Sequence, residues 1–407
     1  MFPSPRSPLF LKGRLTMKIH LPFRAAVCLL LTFTVSVSVI SLWAFRKSTN
    51  GVSVEMAEKI TEISEYIKSD YYFSVDSESV TDGAVSGYMQ GLGDKYATYY
   101  DVEKSSTQAD AINGDTHGIG IMAVESFSRD IYVYKVYRDS PAQLAGIKEG
   151  DRIISVEGEK VSTIGFSKAV DKLRGDKGKK TNLTLLRNSK EFSVSVKYDV
   201  TDIQSVYSYV TSGNIGVVQI IDFNKKTYPQ FKAEVEFLKE QKVKGMIFDL
   251  RHNSGGTVET AAQMLDLLLP KCDTVHVKFK DGKVKVRNKS DKNSIDLPFA
   301  ILTDRITASS SEIFASVMRQ QNKAVLIGET TYGKALIQRT YPLKDGSKIK
   351  FTVGEFVPKN GESYNGKGLE PDIAVNPGFK ISHEFYFLKP NEDKVLKAAV
   401  DYINQLS

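Results

Sequence analysis

Residues 299–338 read FAILTDRITASSSEIFASVMRQQNKAVLIGETTYGKALIQ. The apolar run FAILT predicts a short buried strand, SEIFASVMRQ an amphipathic helix, and AVLIGE a second buried strand, the succession that builds a sheet with crossover helices. Upstream the alternation continues from residue 213. NIGVVQI is followed by YPQFKAEVEFLKEQ, with Phe231, Val235 and Leu238 on one face, then by GMIFDLR and TVETAAQMLDLLL. The fold class is therefore α/β from there on, with Asp281-Gly282 and Asp345-Gly346 marking hairpins and an amphipathic VLKAAVDYI near the end.

Earlier segments read differently. Val54, Ala57, Ile60, Ile63 and Ile67 recur at helix spacing, so residues 52–112 are expected to form an N-terminal helical arm that includes the aromatic stretch KYATYYD at 95–101. Residues 113–200 change to short strands and turns (GIGIMAVES, IYVYKVY, DRIISVEG, NLTLLRN, FSVSVKY) with one helix, FSKAVDKLR. The α/β core is assigned to 201–380 and a C-terminal helical segment to 381–407.

Composition, 41% apolar and 25% charged over 407 residues, is that of a globular protein. The net charge of +7 lies entirely in residues 1–47, where Arg6, Lys12, Arg14, Lys18, Arg24, Arg46 and Lys47 stand without an acidic residue. Removing those seven from 55 leaves 48 basic against 48 acidic side chains, a neutral body that argues against nucleic acid as a partner. Between the basic groups, Ala25–Phe45 is free of charge for 21 residues, enough for a helix of about 30 Å. It is expected to be a transmembrane signal anchor, with residues 1–24 a cytoplasmic basic N-terminus and the body extracytoplasmic on a single-pass cell-membrane protein. A cleaved signal peptide is the alternative, and it too exports the body. Two cysteines, Cys28 and Cys272, and five scattered histidines offer no zinc spacing, so neither metal nor cofactor is expected.

Three motifs in the α/β region compete to carry chemistry. GETTYGKA (328–335) nearly fits a phosphate loop, but Ala335 supplies no hydroxyl and a β-like ALIQRTYPL follows where a helix is needed. NSGG (253–256) has the look of a trypsin-type nucleophile motif around Ser254, yet between the helical arm and Ser254 the only histidines are His117 and the adjacent His252. The third is TASSSE (307–312) taken with YGK (332–334).

Two resemblances then bear on the chain. GIGI (118–121), SPAQLAGI, EGDRI and a helix ending in LRG, in that order, resemble a bacterial-type PDZ domain across 113–200. This implies that Gly118, Ile119, Gly120 and Ile121 form a loop whose amides bind a chain-terminal carboxylate, beside a strand edge to which a peptide can add; Leu173 and Val170 would face that groove or pack in the core. DLRHNSGG (249–256), TASSSE, YGK and GKGLEPDI (366–373), with the PDZ insertion, resemble the C-terminal processing peptidases over 52–405.

The second resemblance implies an α/β core of the ClpP and crotonase kind, a Ser-Lys dyad with Ser309 as nucleophile and Lys334 as general base, and Gln338 as the group that orients the lysine. It implies polypeptide substrates with free C-termini, and a homodimer. Ser254 stands where the family usually has proline. Chemistry supports the dyad: a serine needs a neutral base, and a lysine, ordinarily near pKa 10.4, must lose about three pH units, roughly 4 kcal/mol, to burial. Ser309 opens a helix, so the Ser310 amide points at its oxygen, and Gly255 or Gly256 could complete an oxyanion hole. A serine followed three residues on by Glu312 is also a helix capping box, and a catalytically inactive PDZ peptide-binding scaffold is the alternative function.

Overall fold

The computed structural model describes residues 53–291, 294–359, 363–378 and 382–406. The apolar stretch at 25–45 and Cys28 lie outside these residues, and among the described residues no helix is long and apolar enough to cross a membrane. The chain divides into two compact units, 1–80 and 81–407. In the first, Val54–Asp70 is helical, opened by Ser53, whose hydroxyl accepts from the Met56 amide at 3.1 Å. No residue of this helix is buried, and Val54, Ile60, Ile63 and Tyr66 are exposed.

The second unit holds the chemistry. Its central sheet runs in the order Val206–Val210, Gly216–Ile220, Met246–Asp249, Phe299–Thr303, Ala324–Gly328, Ile373–Ala374. All pairings are parallel except the first. Strands covered on both faces need apolar residues throughout, and Met246–Asp249 and Phe299–Thr303 are buried at every position. One face is packed by helices Thr227–Glu240, Val258–Leu268 and Ser310–Gln320, which bring Phe231, Leu265 and Phe314 into one core. On the other face lies Lys394–Leu406, which buries Val395, Leu396, Ala399 and Ile403. The buried Arg251 guanidinium bridges the carboxylates of Asp249 and Asp393, each at 2.7 Å, and so pins the start of that last helix to the sheet.

A second sheet of five antiparallel strands carries the hairpin Leu336–Pro342 with Lys348–Phe356. Here one expectation needs correcting. Residues 52–112 are not helical throughout, because Thr98–Tyr100 pairs with Lys348–Lys350 as an edge strand between helices Ser77–Gln90 and Val102–Asn113. Adjacent β-formers (TYY) satisfy their backbone on that hairpin.

The 113–200 module is an antiparallel sheet, Ile121–Glu125, Ile131–Val136, Arg152–Val156, Lys180–Arg187, Lys190–Lys197, with its own core around Ile131, Ile153 and Leu183. Asp115–Gly118 and Asp199–Asp202, where the chain enters and leaves it, pair antiparallel, as an insertion requires. Lys226 of the core forms ion pairs with Asp115 and Asp202 at this junction. On another side the short 3-10 helix Ser382–Phe387 touches both bodies: Phe387 packs on Tyr132 of the module, Tyr386 on Tyr134, and Phe385 stacks at 4.4 Å on His252 of the core.

Candidate active site

Ser309 stands between the buried strand Phe299–Thr303 and the helix Ser310–Gln320 with φ 57° and ψ −119°. That conformation costs a non-glycine residue on the order of 1–3 kcal/mol and persists only where its surroundings dictate it. They do so here. The Ala308 amide donates to Asn253 O at 3.1 Å, the Ser311 hydroxyl donates to the same oxygen at 3.0 Å, and the Ser309 amide donates to the Glu312 carboxylate at 2.9 Å. Thr307, fully buried, donates its hydroxyl to Leu250 O at 2.9 Å and accepts the Tyr332 amide on its carbonyl at 3.0 Å.

The loop 253–256 leaves the end of the strand Met246–Asp249 and lies against this turn. Gly255 has φ 104°, and a Cβ there would fall 2.7 Å from Ala308 O and 2.8 Å from Ser309 Cβ. Only glycine permits that approach. The Gly255 amide donates to Asn253 Oδ1 at 2.8 Å and is thereby committed. Gly256 pairs with Phe223, where the Thr257 amide donates to Phe223 O and the Phe223 amide to Gly255 O. The carbonyl of Gly256 thus faces the other way and accepts the Ser310 hydroxyl at 2.9 Å. Of the three expected oxyanion donors, Gly255 is therefore committed elsewhere, while Ser310 begins a helix, where first-turn amides have no intrahelical partner.

Lys334 follows the strand Ala324–Gly328 on an irregular segment held by the GKGLEPD stretch: the Gly366 amide donates to Gly333 O at 2.8 Å, and the Thr331 and Leu369 backbones are tied together. Its partner in the site is Glu312, completely buried. One oxygen of that carboxylate accepts both the Ser309 amide at 2.9 Å and the Lys334 amide at 2.8 Å, while the other accepts the Thr331 hydroxyl and the Gly333 amide at 2.5 and 2.7 Å. Burial pushes the Glu312 carboxyl up, and these four donors oppose it. The capping-box reading of Glu312 is therefore half of its role; the other half, gripping the lysine segment, has no local sequence signal.

The Lys334 ammonium group is half-buried. Burial first, then the facing Lys350, hold it below the ordinary lysine value, against the pull of Glu312. Ser309 and Lys334 line one cleft of about 470 Å³, with Phe223, Val258, Ile313 and Ile337 as apolar wall. Among the described residues no hydrogen bond joins Lys334 Nζ to Ser309 Oγ, and catalytic contacts of this kind often tighten only when substrate is bound. Gln338 shares the cleft, but its side-chain amide donates to Leu336 O at 3.1 Å and Thr352 Oγ1 at 3.3 Å and makes no hydrogen bond with Lys334.

The competing motifs do not assemble. Ser254 is exposed in the cleft. His252 Nε2 lies 3.3 Å from Asp304 and His117 Nε2 lies 3.4 Å from Asp110, and among the described residues no histidine lines the cleft. After Gly328–Ala335 the chain becomes the strand Leu336–Pro342, not the helix of a phosphate loop.

In the module, Gly118 ends a strand and a Cβ there would lie 2.5 Å from Leu173 O, which the Ile119 amide uses as acceptor at 3.2 Å. Ile119 and Leu173 are core, and Val170 packs against that core. The Gly120 carbonyl accepts from Tyr137 at 3.0 Å. Among the described residues Ile121 starts an edge strand paired on one side only, with Ile131–Val136, and the 3-10 helix Ser382–Phe387 packs near it.

Known families match this arrangement. The peptidase family S41 model matches residues 214–375, a PDZ domain model matches 132–187, and the N-terminal domain model of the activating protease CtpB matches 37–104. The carboxy-terminal processing protease CtpA of Bacillus subtilis (strain 168) is 35% identical over 320 residues, covering 78% of this chain and 68% of its own length. A CtpA-like serine protease of Staphylococcus epidermidis (strain ATCC 12228) is 30% identical over 354 residues, 85% of this chain and 72% of that one. An S41 protease structure from Bacteroides fragilis shares the fold, with a TM-score of 0.57 at 14% identity, covering 83% of this chain and 92% of its own.

Proposed function

The chain belongs to peptidase family S41, the carboxy-terminal processing serine proteases, and from that we propose that it is an endopeptidase that works through Ser309 and Lys334. The observation that carries this reading is the single Glu312 oxygen that accepts the amides of both residues and places them on one cleft. A neutral Lys334 takes the Ser309 proton as Oγ adds to the scissile carbonyl. The oxyanion then draws on the Gly256 and Ser310 amides. The resulting ammonium returns the proton to the leaving amine, and water, deprotonated by the same lysine, releases the acyl group. In this reading Gln338 acts on the base through the hairpin that carries it.

The PDZ module receives polypeptide C-termini, a role supported by the position of Ile121–Glu125 as an edge strand of its sheet, beside the GIGI loop. The 25–45 segment tethers the body to the cell membrane from outside. Residues 52–112 serve as the N-terminal arm; with Val54, Ile60 and Ile63 exposed on it, a second copy is its occupant. The parallel strand–helix repeats support a core of the ClpP and crotonase kind.

Ser309→Ala and Lys334→Arg should abolish casein cleavage, since guanidinium cannot accept a proton, whereas Ser254→Ala keeps most of it. The lysine lies below its ordinary value, so activity should rise with pH through a midpoint under 10.5. A dead Ser254→Ala, or an active Ser309→Ala, overturns the assignment.

A further inference from the structure

The aromatic stretch 95–101 reaches the site. Tyr96 presents the face of its ring to Lys334, whose Nζ lies 4.5 Å from the ring centroid, within the range of a cation–π contact. The backbone holds the loop that carries this ring: the Tyr96 amide donates to Asp94 Oδ1 at 2.9 Å, and Asp94 Oδ2 accepts the Thr352 amide at 2.8 Å. Thr352 is the residue whose hydroxyl accepts from Gln338 at 3.3 Å. Gln338 thus braces the loop that carries Tyr96, and the loop seats the lysine.

We infer that Tyr96 is the positioning residue of the general base: its ring face seats the Lys334 ammonium, which leaves that seat as it gives its proton to solvent and turns to Ser309. The inference rests on Lys334 being the base. An aromatic face stabilises an ammonium and does little for a neutral amine, so the ring favours the protonated form relative to an aliphatic cover of equal size. The other charged groups around Lys334 are Lys350 on the neighbouring strand, Lys95 and Asp94 on the Tyr96 loop, and Glu312 on the helix. Of these, Lys95 itself contacts the ring, and its surroundings change with it. Lys95 lies over the same ring, 4.9 Å from its centroid, and also 5.7 Å from that of Tyr332, so two cations share one face-bearing residue.

The test compares Tyr96→Leu and Tyr96→Phe in the whole protein. Two profiles are measured against pH: kcat/KM on one peptide, and acetylation of Lys334 by acetic anhydride, quantified by mass spectrometry. The second follows the lysine directly and does not depend on turnover. Tyr96→Leu keeps apolar cover and loses the π face, so both midpoints should fall by about 0.5–1 pH unit. Below the midpoint that is a gain in activity, which damage to the fold cannot imitate. Tyr96→Phe keeps the face and should restore both midpoints. If neither midpoint moves in Tyr96→Leu, or if both rise, the role of Tyr96 is overturned while the dyad stands. If the labelling midpoint falls and the activity profile stays where it was, Lys334 is not the base, and both readings are overturned.

Discussion

Glu312 illustrates how much one buried side chain can do. Ser309 sits in a costly backbone conformation and Lys334 on a segment without regular structure. Both are held by the same carboxylate oxygen. Glu312→Ala would orphan three amides and a hydroxyl in a buried site, at a cost of about 3 kcal/mol or more. Glu312→Gln preserves one oxygen but in either orientation sets an NH2 against two of the four donors. We expect a lowered Tm and severely reduced kcat for both variants, with alanine worse in stability. Thermal melts and turnover measurements check this; a Glu312→Gln enzyme with normal Tm and kcat would show that the tether is dispensable.

The loop 253–256 and the turn 307–310 act as one piece because glycine lets them touch. Asn253 supplies the glue: buried completely, it donates its side-chain amide to Ile220 O at 2.7 Å, accepts the Gly255 amide, and accepts at its carbonyl from Ala308 and Ser311. Gly255→Ala adds a methyl where Ala308 O and Ser309 Cβ already stand, at a φ of 104°. Ser309 must then shift, and in the proposed mechanism a displacement of even 1 Å can cost about 100-fold in rate. The expectation is a kcat at least that much lower with the protein still folded, read by turnover alongside circular dichroism. Undiminished kcat would mean that the two segments yield more easily than their contacts suggest.

Across the molecule, the module is joined to the catalytic body at several points: the paired strands Asp115–Gly118 and Asp199–Asp202, the Lys226 ion pairs, the Gln219–Tyr134 hydrogen bond of 3.1 Å, and the aromatic strap Phe385–Phe387. A ligand that binds one pose of the module more tightly can bias the body, and a hundredfold preference corresponds to about 2.7 kcal/mol. Replacing Gly118 or Gly120 is a poor probe of this, because a Cβ would meet Leu173 O at 2.5 Å or Ser140 Cβ at 2.4 Å and disturb the module itself. Substrate chemistry is cleaner. Peptides ending in an apolar residue should be cut faster as the free acid than as the amide. Equal initial rates on the two forms would rule out capture through the carboxylate.

Much of this was legible in the residues. Phe299–Thr303, Ser310–Gln320 and Ala324–Gly328 fall where apolar periodicity puts them, because strands buried on both faces must be apolar throughout and a helix on a sheet must carry a stripe. Ser309 and Lys334, the pair that the family resemblance implies, stand 25 positions apart and share a cleft. Local signals fail where partners are distant in sequence. Thr98–Tyr100 becomes a strand only because Lys348–Lys350 offers it an edge, and the Gly255 amide is spent on Asn253. Gln338 turns to Thr352 instead of Lys334, and Tyr96 comes to lie over a lysine 238 positions later in the chain. Periodicity and capping record each segment's own burial, so the chain alone determined most of its elements and the motifs that carry Ser309 and Lys334. Which donor meets which acceptor, and which ring covers Lys334, depends on how separate segments pack, and only the tertiary structure decided that.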